Sequence, residues 1–67
     1  MIERHEIDGL VYTLCQEQGI VLRQNGSLAA DFEGGRWTWT NPNLDLPERH
    51  LEALLGPARA FAARIAM

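Results

Sequence analysis

Three side chains in this sequence have the chemistry of a catalytic or metal site: Cys15, His5 and His50. A pair of histidines can bind a metal ion or exchange protons near neutral pH. The two histidines fall on two different predicted helices, however, and no third ligand stands near either of them. His50 follows Glu48 and Arg49 on the side of its helix that we expect to face solvent. The spacing therefore indicates two surface histidines and no metal site.

The single cysteine is also predicted to be structural. A nucleophilic cysteine needs a histidine base and surroundings that stabilise the thiolate. Cys15 lies beside an apolar stripe near the carboxyl end of the first predicted helix, where the helix dipole disfavours negative charge. The sequence contains no glycine-rich phosphate loop, pair of catalytic carboxylates or zinc-ligand spacing. We therefore predict no catalytic residue, no cofactor and no metal, and we expect a protein that is not an enzyme.

The composition is that of one small domain, residues 1–67. Of the 67 residues, 46% are hydrophobic and 22% are charged, which is too apolar for intrinsic disorder. The net charge is −3 and every basic residue is an arginine, so the charge balance opposes the attraction that drives nucleic-acid binding. No apolar run approaches the roughly 18 residues of a membrane span, and no secretory signal is recognisable. We expect no membrane contact and a cytoplasmic location.

The first segment, residues 2 to 18, has the spacing of an amphipathic helix. Four apolar residues follow the i, i+3, i+4, i+7 pattern: Ile7, Leu10, Val11 and Leu14. Acidic residues gather in the first turns, where the helix dipole favours negative charge. Gly9 destabilises a helix interior by about 1 kcal/mol relative to alanine, so Asp8 is an alternative start as an N-cap. Gly19 is placed to end the helix.

Three strands are predicted next, at about residues 20–23, 27–33 and 36–40. A two-residue turn at Gly34-Gly35 sets these cross-strand pairs: Glu33 with Arg36, Phe32 with Trp37 and Ala30 with Trp39. A three-residue loop at Gln24-Asn25-Gly26 sets two more: Leu22 with Leu28 and Ile20 with Ala30. Both registers place the apolar side chains on one face of the sheet. Both tryptophans are therefore predicted to face a helical layer, and Trp39, near the end of the sheet, is the more exposed of the two.

The last segment is predicted to be a second amphipathic helix. Asp45 is placed to cap it, with Pro47 in the first turn and Glu48 three residues after the cap. Apolar residues then keep helical spacing to the end, but Gly56-Pro57 interrupts them, and we expect a kink or two helices there. The predicted fold is α+β: a two-layer α-β-β-β-α sandwich, in which two helices cover one face of a three-stranded antiparallel meander.

This α-β-β-β-α order resembles that of the double-stranded RNA-binding domain over essentially the whole chain. The likeness is one of topology. The family contacts RNA phosphates with a lysine-rich start to its second helix, and here that place holds the acidic stretch Asp45-Leu46-Pro47-Glu48-Arg49-His50. The shared order therefore brings no function with it.

The leading functional hypothesis is a non-enzymatic protein-interaction module that forms a homodimer or binds another protein. A small regulator or inhibitor that occludes a partner fits this description, by analogy with phage and mobile-element accessory proteins. The last helix is rich in alanine, and its apolar residues exceed what a small sheet covers. The candidate partner or dimer surface comprises five residues: Phe61, Ile65, Arg59, Arg64 and Trp39.

Two alternatives remain open at this point. The first is a nucleic-acid-binding module that uses arginines and an exposed tryptophan; its arginines are Arg4, Arg23, Arg36 and Arg49. The negative net charge disfavours it. The second, and the weakest, is a small enzyme or metal protein that uses the cysteine or a histidine.

Overall fold

Five antiparallel strands and one helix make up this computed structural model, which describes residues 1–39 and 46–66. The elements are β1 (Ile2–Ile7), β2 (Leu10–Gln16), β3 (Ile20–Gln24), β4 (Ser27–Glu33), β5 (Arg36–Trp39) and α1 (Glu48–Ile65). The strands lie side by side in chain order. The predicted α+β class is confirmed. The finer prediction, three strands between two helices, is wrong, since the described residues form five strands and a single helix.

The segment predicted as the first helix is a β-hairpin. Asp8 and Gly9 have φ angles of 52° and 80°, the pair of positive values that a two-residue type I′ turn requires. The turn brings Ile7 opposite Leu10 and continues the pairing to Ile2 opposite Cys15. Asp-Gly is a strong hairpin signal, and here it outweighs the helical spacing of the apolar residues. The topological likeness to the double-stranded RNA-binding domain disappears with the first helix.

The three predicted strands are present, and the register across Gly34-Gly35 is confirmed in all three pairs. The register between β3 and β4 differs. Asn25-Gly26 is a two-residue turn with φ angles of 51° and 84°, and a register irregularity follows between Leu22 and Arg23. Leu22 consequently pairs with Ala30, two residues beyond the predicted partner Leu28. A shift of two residues keeps the apolar side chains on the same face.

The helix runs without a break through Gly56-Pro57, so the prediction of two helices is wrong. Proline removes one hydrogen bond to the carbonyl four residues earlier. That carbonyl belongs to the exposed residue Ala53, where water can satisfy it. The helix begins at Glu48 with Pro47 at the N-cap position and no side-chain cap. The predicted capping residue, Asp45, lies outside the described residues.

The core lies between α1 and one face of the sheet. From the helix, Leu54, Ala58 and Phe61 point inward at spacings of four and three residues and are essentially without exposure. From the sheet, the buried members of the cluster are Tyr12, Leu14, Ile20, Leu22 and Ala30. Half-buried Trp37 packs against this cluster and donates its Nε1 hydrogen to the Leu51 carbonyl at 2.9 Å. Its predicted inward orientation is confirmed, while the side chain of Trp39 lies outside the described part.

The opposite face of the sheet, which we call the open face, is covered by no described element. By strand alternation and register it carries these side chains: Ile2, Arg4, Glu6, Val11, Thr13, Cys15, Val21, Arg23, Asp31, Glu33, Arg36 and Thr38. The sheet thus has a helical layer on one side and none on the other within the described chain.

Candidate functional site

A buried polar chain joins the sheet to the first turn of the helix. The hydroxyl of Tyr12 lies 2.6 Å from Nδ1 of His50, and Nε2 of His50 lies 2.9 Å from Oδ2 of Asp8. The guanidinium of Arg49 also donates to Asp8 Oδ2 at 2.9 Å. Tyr12 is 0% exposed and His50 is 2% exposed, whereas Asp8 lies at the surface. This series of hydrogen-bonded side chains therefore connects the core to the surface through the imidazole of His50.

Local structure explains how these residues meet. Asp8 occupies the first position of the β1–β2 turn. Tyr12 is the third residue of β2 and lies on the face that α1 covers. His50 is the third residue of α1 and precedes Leu54 by four residues and Ala58 by eight. Its position on that inward stripe is a signal that the sequence contains. The prediction that His50 lies on the surface is wrong because His50 is the first residue of this inward stripe.

The carboxylate of Asp8, at the surface end of this series of hydrogen bonds, is held in its charged form. The hydrogen bond from His50, followed by the hydrogen bond and the charge of Arg49, lowers the pKa of Asp8 below its usual value. A charged Asp8 fixes the orientation of the imidazole, because Nε2 must carry the hydrogen that it donates to the carboxylate. Nδ1 then meets the Tyr12 hydroxyl, which can donate to a neutral ring or accept from a charged one.

The order hydroxyl, imidazole, carboxylate is also the order of a nucleophile, its base and the group that orients the base. A nucleophile must reach its substrate, however, and the Tyr12 side chain has no exposed surface. The ring of His50 stands edge-on to the tyrosine ring with centroids 5.6 Å apart, so it fills core space as well. As it stands, this arrangement fastens the helix to the hairpin and offers no reaction site.

The Asp8 carboxylate makes stability dependent on pH in the acidic range. Its lowered pKa means that the unfolded chain, with an aspartate pKa of about 3.9, binds the proton more readily than the folded chain does. We therefore expect the stabilisation from Asp8 to be complete above about pH 5 and to be lost as the pH falls through the unfolded-state and then the folded-state pKa. Urea unfolding of wild type and Asp8→Asn between pH 3 and pH 7 measures this contribution.

Asparagine suits this substitution because it also tolerates positive φ and, with Gly9, keeps a favourable turn. The difference between the two proteins should be largest above about pH 5 and should shrink as the pH falls towards 3. Glu52→Gln, at an exposed position of α1, should follow the wild-type curve throughout. A constant difference between Asp8→Asn and wild type across the range would show that ionisation of Asp8 contributes nothing.

A second polar group holds the other end of the helix. Glu3 of β1 accepts from Nε2 of His5 at 2.8 Å and forms an ion pair with Arg64 in the last turn of α1. The Arg64 guanidinium also lies 5.7 Å above the ring of Phe61. The β1–β2 hairpin therefore contacts α1 through polar groups near both of the helix ends.

The structure separates the five residues of the predicted partner surface. Phe61 has no exposure and packs against the sheet, so it is not available to a partner in this conformation. Ile65 is half-buried against the same core, and Arg64 is occupied by Glu3. Arg59 is exposed, and the side chain of Trp39 is not described. A continuous apolar surface on the last helix is therefore not available within the described residues.

Cys15 is buried, as predicted, but it lies in β2 on the open face and not on a helix. His5 is half-buried and bonded to Glu3, so it too differs from the free surface histidine that was expected. Among the described residues, no group of three histidine, cysteine or acidic side chains is arranged to hold a metal ion.

Two of the four candidate nucleic-acid-binding arginines already have acidic partners. Arg23 donates to both carboxylate oxygens of Glu17, at 2.9 and 3.1 Å, and this pairing raises the pKa of Arg23. Arg49 is paired with Asp8. The remaining two, Arg4 and Arg36, lie on the opposite edge strands of the sheet. The described arginines therefore do not form one concentrated positive surface.

Comparison of the chain with protein-family models, with curated proteins and with solved structures finds no significant match. Within the described residues, α1 lacks the apolar character that crossing a bilayer would require.

Proposed function

We propose that this chain is a non-enzymatic protein-interaction module that binds a partner protein through the open face of its sheet. The observation that carries the proposal is the one-sided layering of the fold. Five strands present two faces of similar extent, and α1 packs on only one of them. A partner that covers the second face would give the sheet the layer that this chain does not supply among its described residues.

One row of the open face is apolar and begins at the edge strand β1. Ile2, Cys15 and Val21 lie in one row across three adjacent strands, because Cys15 pairs with Ile2 on one side and with Val21 on the other. Ile2 is 69% exposed, whereas Cys15 and Val21 are each 9% exposed. Burying the exposed Ile2 side chain against a partner is favourable at about 25 cal/mol per Å² of apolar surface.

Polar and charged side chains surround this apolar row. Arg4, Thr13 and Arg23 form the neighbouring row across the same three strands, and Asp31 pairs with Val21 on β4. An apolar centre with a polar rim is the usual anatomy of a protein interface. Charges of both signs in the rim favour a protein partner over a polyanion, because a nucleic acid would meet Asp31 and Glu33 as well as the arginines.

The buried position of Tyr12 and His50 supports a role without catalysis, since the hydroxyl–imidazole–carboxylate chain is closed to substrate. A module of this kind acts by binding to a surface of its partner and blocking access to that surface. Regulation or inhibition by occlusion follows the same physical principle and needs no reactive group on this chain.

The proposal is tested with a double substitution on the open face, Ile2→Gln with Val11→Thr. Ile2 is exposed and Val11→Thr is nearly isosteric, so the fold should persist while the face becomes polar. The matched control is Ala53→Gln with Ala60→Gln, at two exposed positions of α1. Tagged proteins are used to capture partners from cells of the source organism, and each captured protein is then purified and titrated calorimetrically.

We expect a partner that binds wild type and the helix control alike, and binds the open-face variant at least tenfold more weakly. Equal binding by all three proteins would place the interface elsewhere and contradict the proposal. A captured protein that shows no binding to wild type once both are purified does not count as a partner.

A further inference from the structure

We propose that the edge strand β1 pairs in antiparallel fashion with β1 of a second copy, so that two five-stranded sheets join into one continuous sheet. The inference uses the edge of the sheet and not the open face, and it stands independently of the proposed function. It rests on the free hydrogen-bonding groups of β1 and on the order of charges along that strand.

The outer side of β1 carries unpaired backbone groups. Ile7 and Leu10 flank a two-residue turn, and such a pair exchanges both of its backbone hydrogen bonds. Every second residue then bonds to β2, and the bond from the Gln16 N–H to the Met1 carbonyl, at 3.1 Å, agrees with this alternation. The N–H and C=O groups of Arg4 and Glu6 therefore point away from β2, towards an edge that no other described strand occupies.

Edge strands are usually protected against such pairing by a proline, a bulge, a lysine or a very short length. β1 has six residues with regular pairing to β2 and contains neither proline nor lysine. The edge strand on the other side, β5, has four residues. Within the described residues β1 is thus the longer template, and its protection consists of charged side chains of both signs.

Those charges are complementary to a second copy in one register. When two copies pair about a two-fold axis normal to the sheet, residues on the same face must lie opposite each other. An axis through Arg4 would set two arginines against each other, and an axis through Glu6 would do the same with two glutamates. An axis through His5 sets Arg4 opposite Glu6 of the second copy and Glu6 opposite its Arg4. Opposite charges directly across an antiparallel pair stabilise it, and like charges destabilise it.

The favoured register also uses the free backbone groups. Arg4 and Glu6 are the residues whose N–H and C=O groups point outward, so each Arg4–Glu6 pair can exchange two backbone hydrogen bonds. The two His5 residues become a non-hydrogen-bonded pair at the axis, with Cα atoms expected about 4.5 Å apart. Each His5 keeps its bond to Glu3 of its own chain, which lies on the face that α1 covers.

Charge exchange tests this arrangement. Arg4→Glu places two glutamates opposite Glu6 residues, and Glu6→Arg places two arginines opposite Arg4 residues, so each single variant should associate at least tenfold more weakly than wild type. The double variant with both substitutions restores opposite charges and should recover self-association. An equimolar mixture of the two single variants should form heterodimers, since one chain then presents two acids and the other two bases.

Sedimentation equilibrium gives the readout. Wild type and the double variant are expected at twice the 7.5 kDa mass of one chain, and the single variants at the monomer mass until they are mixed. Circular dichroism of every protein shows whether the fold is kept. Both substituted positions are exposed, and the recovery in the double variant and in the mixture distinguishes loss of pairing from loss of folding.

A cross-link tests the register itself. In a Cys15→Ser background, His5→Cys should form a disulfide-linked dimer under mild oxidation, since the expected Cα separation lies within the range of about 4.4–6.8 Å that a disulfide spans. Arg4→Cys in the same background should cross-link much less, because position 4 faces position 6. A monomeric wild type at millimolar concentration, single variants that still dimerise, or preferential cross-linking at position 4 would each overturn the inference. None of these results depends on whether the open face binds a partner.

Discussion

Replacing Phe61 with alanine is expected to lower the free energy of unfolding by about 3–5 kcal/mol, the range measured for truncating a buried aromatic side chain. Phe61 has no solvent exposure and lies between α1 and the sheet in the same cluster as Leu22 and Leu54. A chain of this length has a total stability of about 3–10 kcal/mol at roughly 0.05–0.15 kcal/mol per residue. The alanine variant should therefore lose about a third or more of the total stability, and it should be largely unfolded without denaturant if the wild type lies at the lower end of this range.

Phe61→Leu keeps the measurement within range, because a smaller loss of volume should cost about 1–2 kcal/mol. Arg59→Ala, two residues earlier on the exposed side of α1, should stay within about 0.5 kcal/mol of wild type. Urea unfolding followed by tryptophan fluorescence reports all three values. A Phe61→Ala variant as stable as Arg59→Ala would mean that Phe61 faces solvent or a partner, as the sequence alone had indicated.

His50→Ala is expected to destabilise the protein by about 2–4 kcal/mol, because it removes a buried side chain together with its hydrogen bond to the Tyr12 hydroxyl. Tyr12→Phe removes the hydroxyl alone and should lower stability by about 0.5–1.5 kcal/mol. Combining the two substitutions should give less than the sum of the separate effects, because each one already breaks the same bond. Urea unfolding at pH 7 measures the three values.

Glu52→Ala is the matched control, since it lies two residues further along α1 on the exposed side. Its stability should differ from wild type by no more than about 0.5 kcal/mol. If His50→Ala also stayed within that limit, or if its effect and that of Tyr12→Phe were strictly additive, the buried polar chain would not be what fastens the helix to the hairpin.

Much of the sheet could be predicted from local signals. Gly34-Gly35 identified a two-residue turn, and the pairing of Glu33 with Arg36 followed from it and was correct. The same rule applied to Asp8-Gly9 would have identified the first hairpin. The apolar spacing favoured a helix instead, although it is compatible with both structures. Leu10 and Leu14 are four residues apart, which places them on one face of a helix and also on one face of a strand.

The candidate site was harder to predict because its members are brought together only by the tertiary fold. Asp8 and Tyr12 are separated from His50 by about 40 residues of chain, and no local pattern links them. The inward stripe of α1 does include His50. A histidine that follows two charged residues is nevertheless predicted to be exposed, because its hydrogen-bond partners in the first hairpin cannot be recognised from the sequence. The complementary order of Arg4 and Glu6 is visible in the sequence, but it acquires meaning only when residues 2–7 form an edge strand.

The polar contacts at both ends of α1 have a consequence for the order of events during synthesis. The helix that covers the core follows the entire sheet along the chain, and the two carboxylates that bind its ends, Asp8 and Glu3, belong to the first hairpin. At about 5–20 residues per second, the residues between Trp39, the end of β5, and Ile65 take seconds to make. Throughout that interval the emerging sheet presents an apolar face without its helix and a free β1 edge. The nascent chain is therefore most exposed to aggregation, and most dependent on chaperones, before α1 is complete.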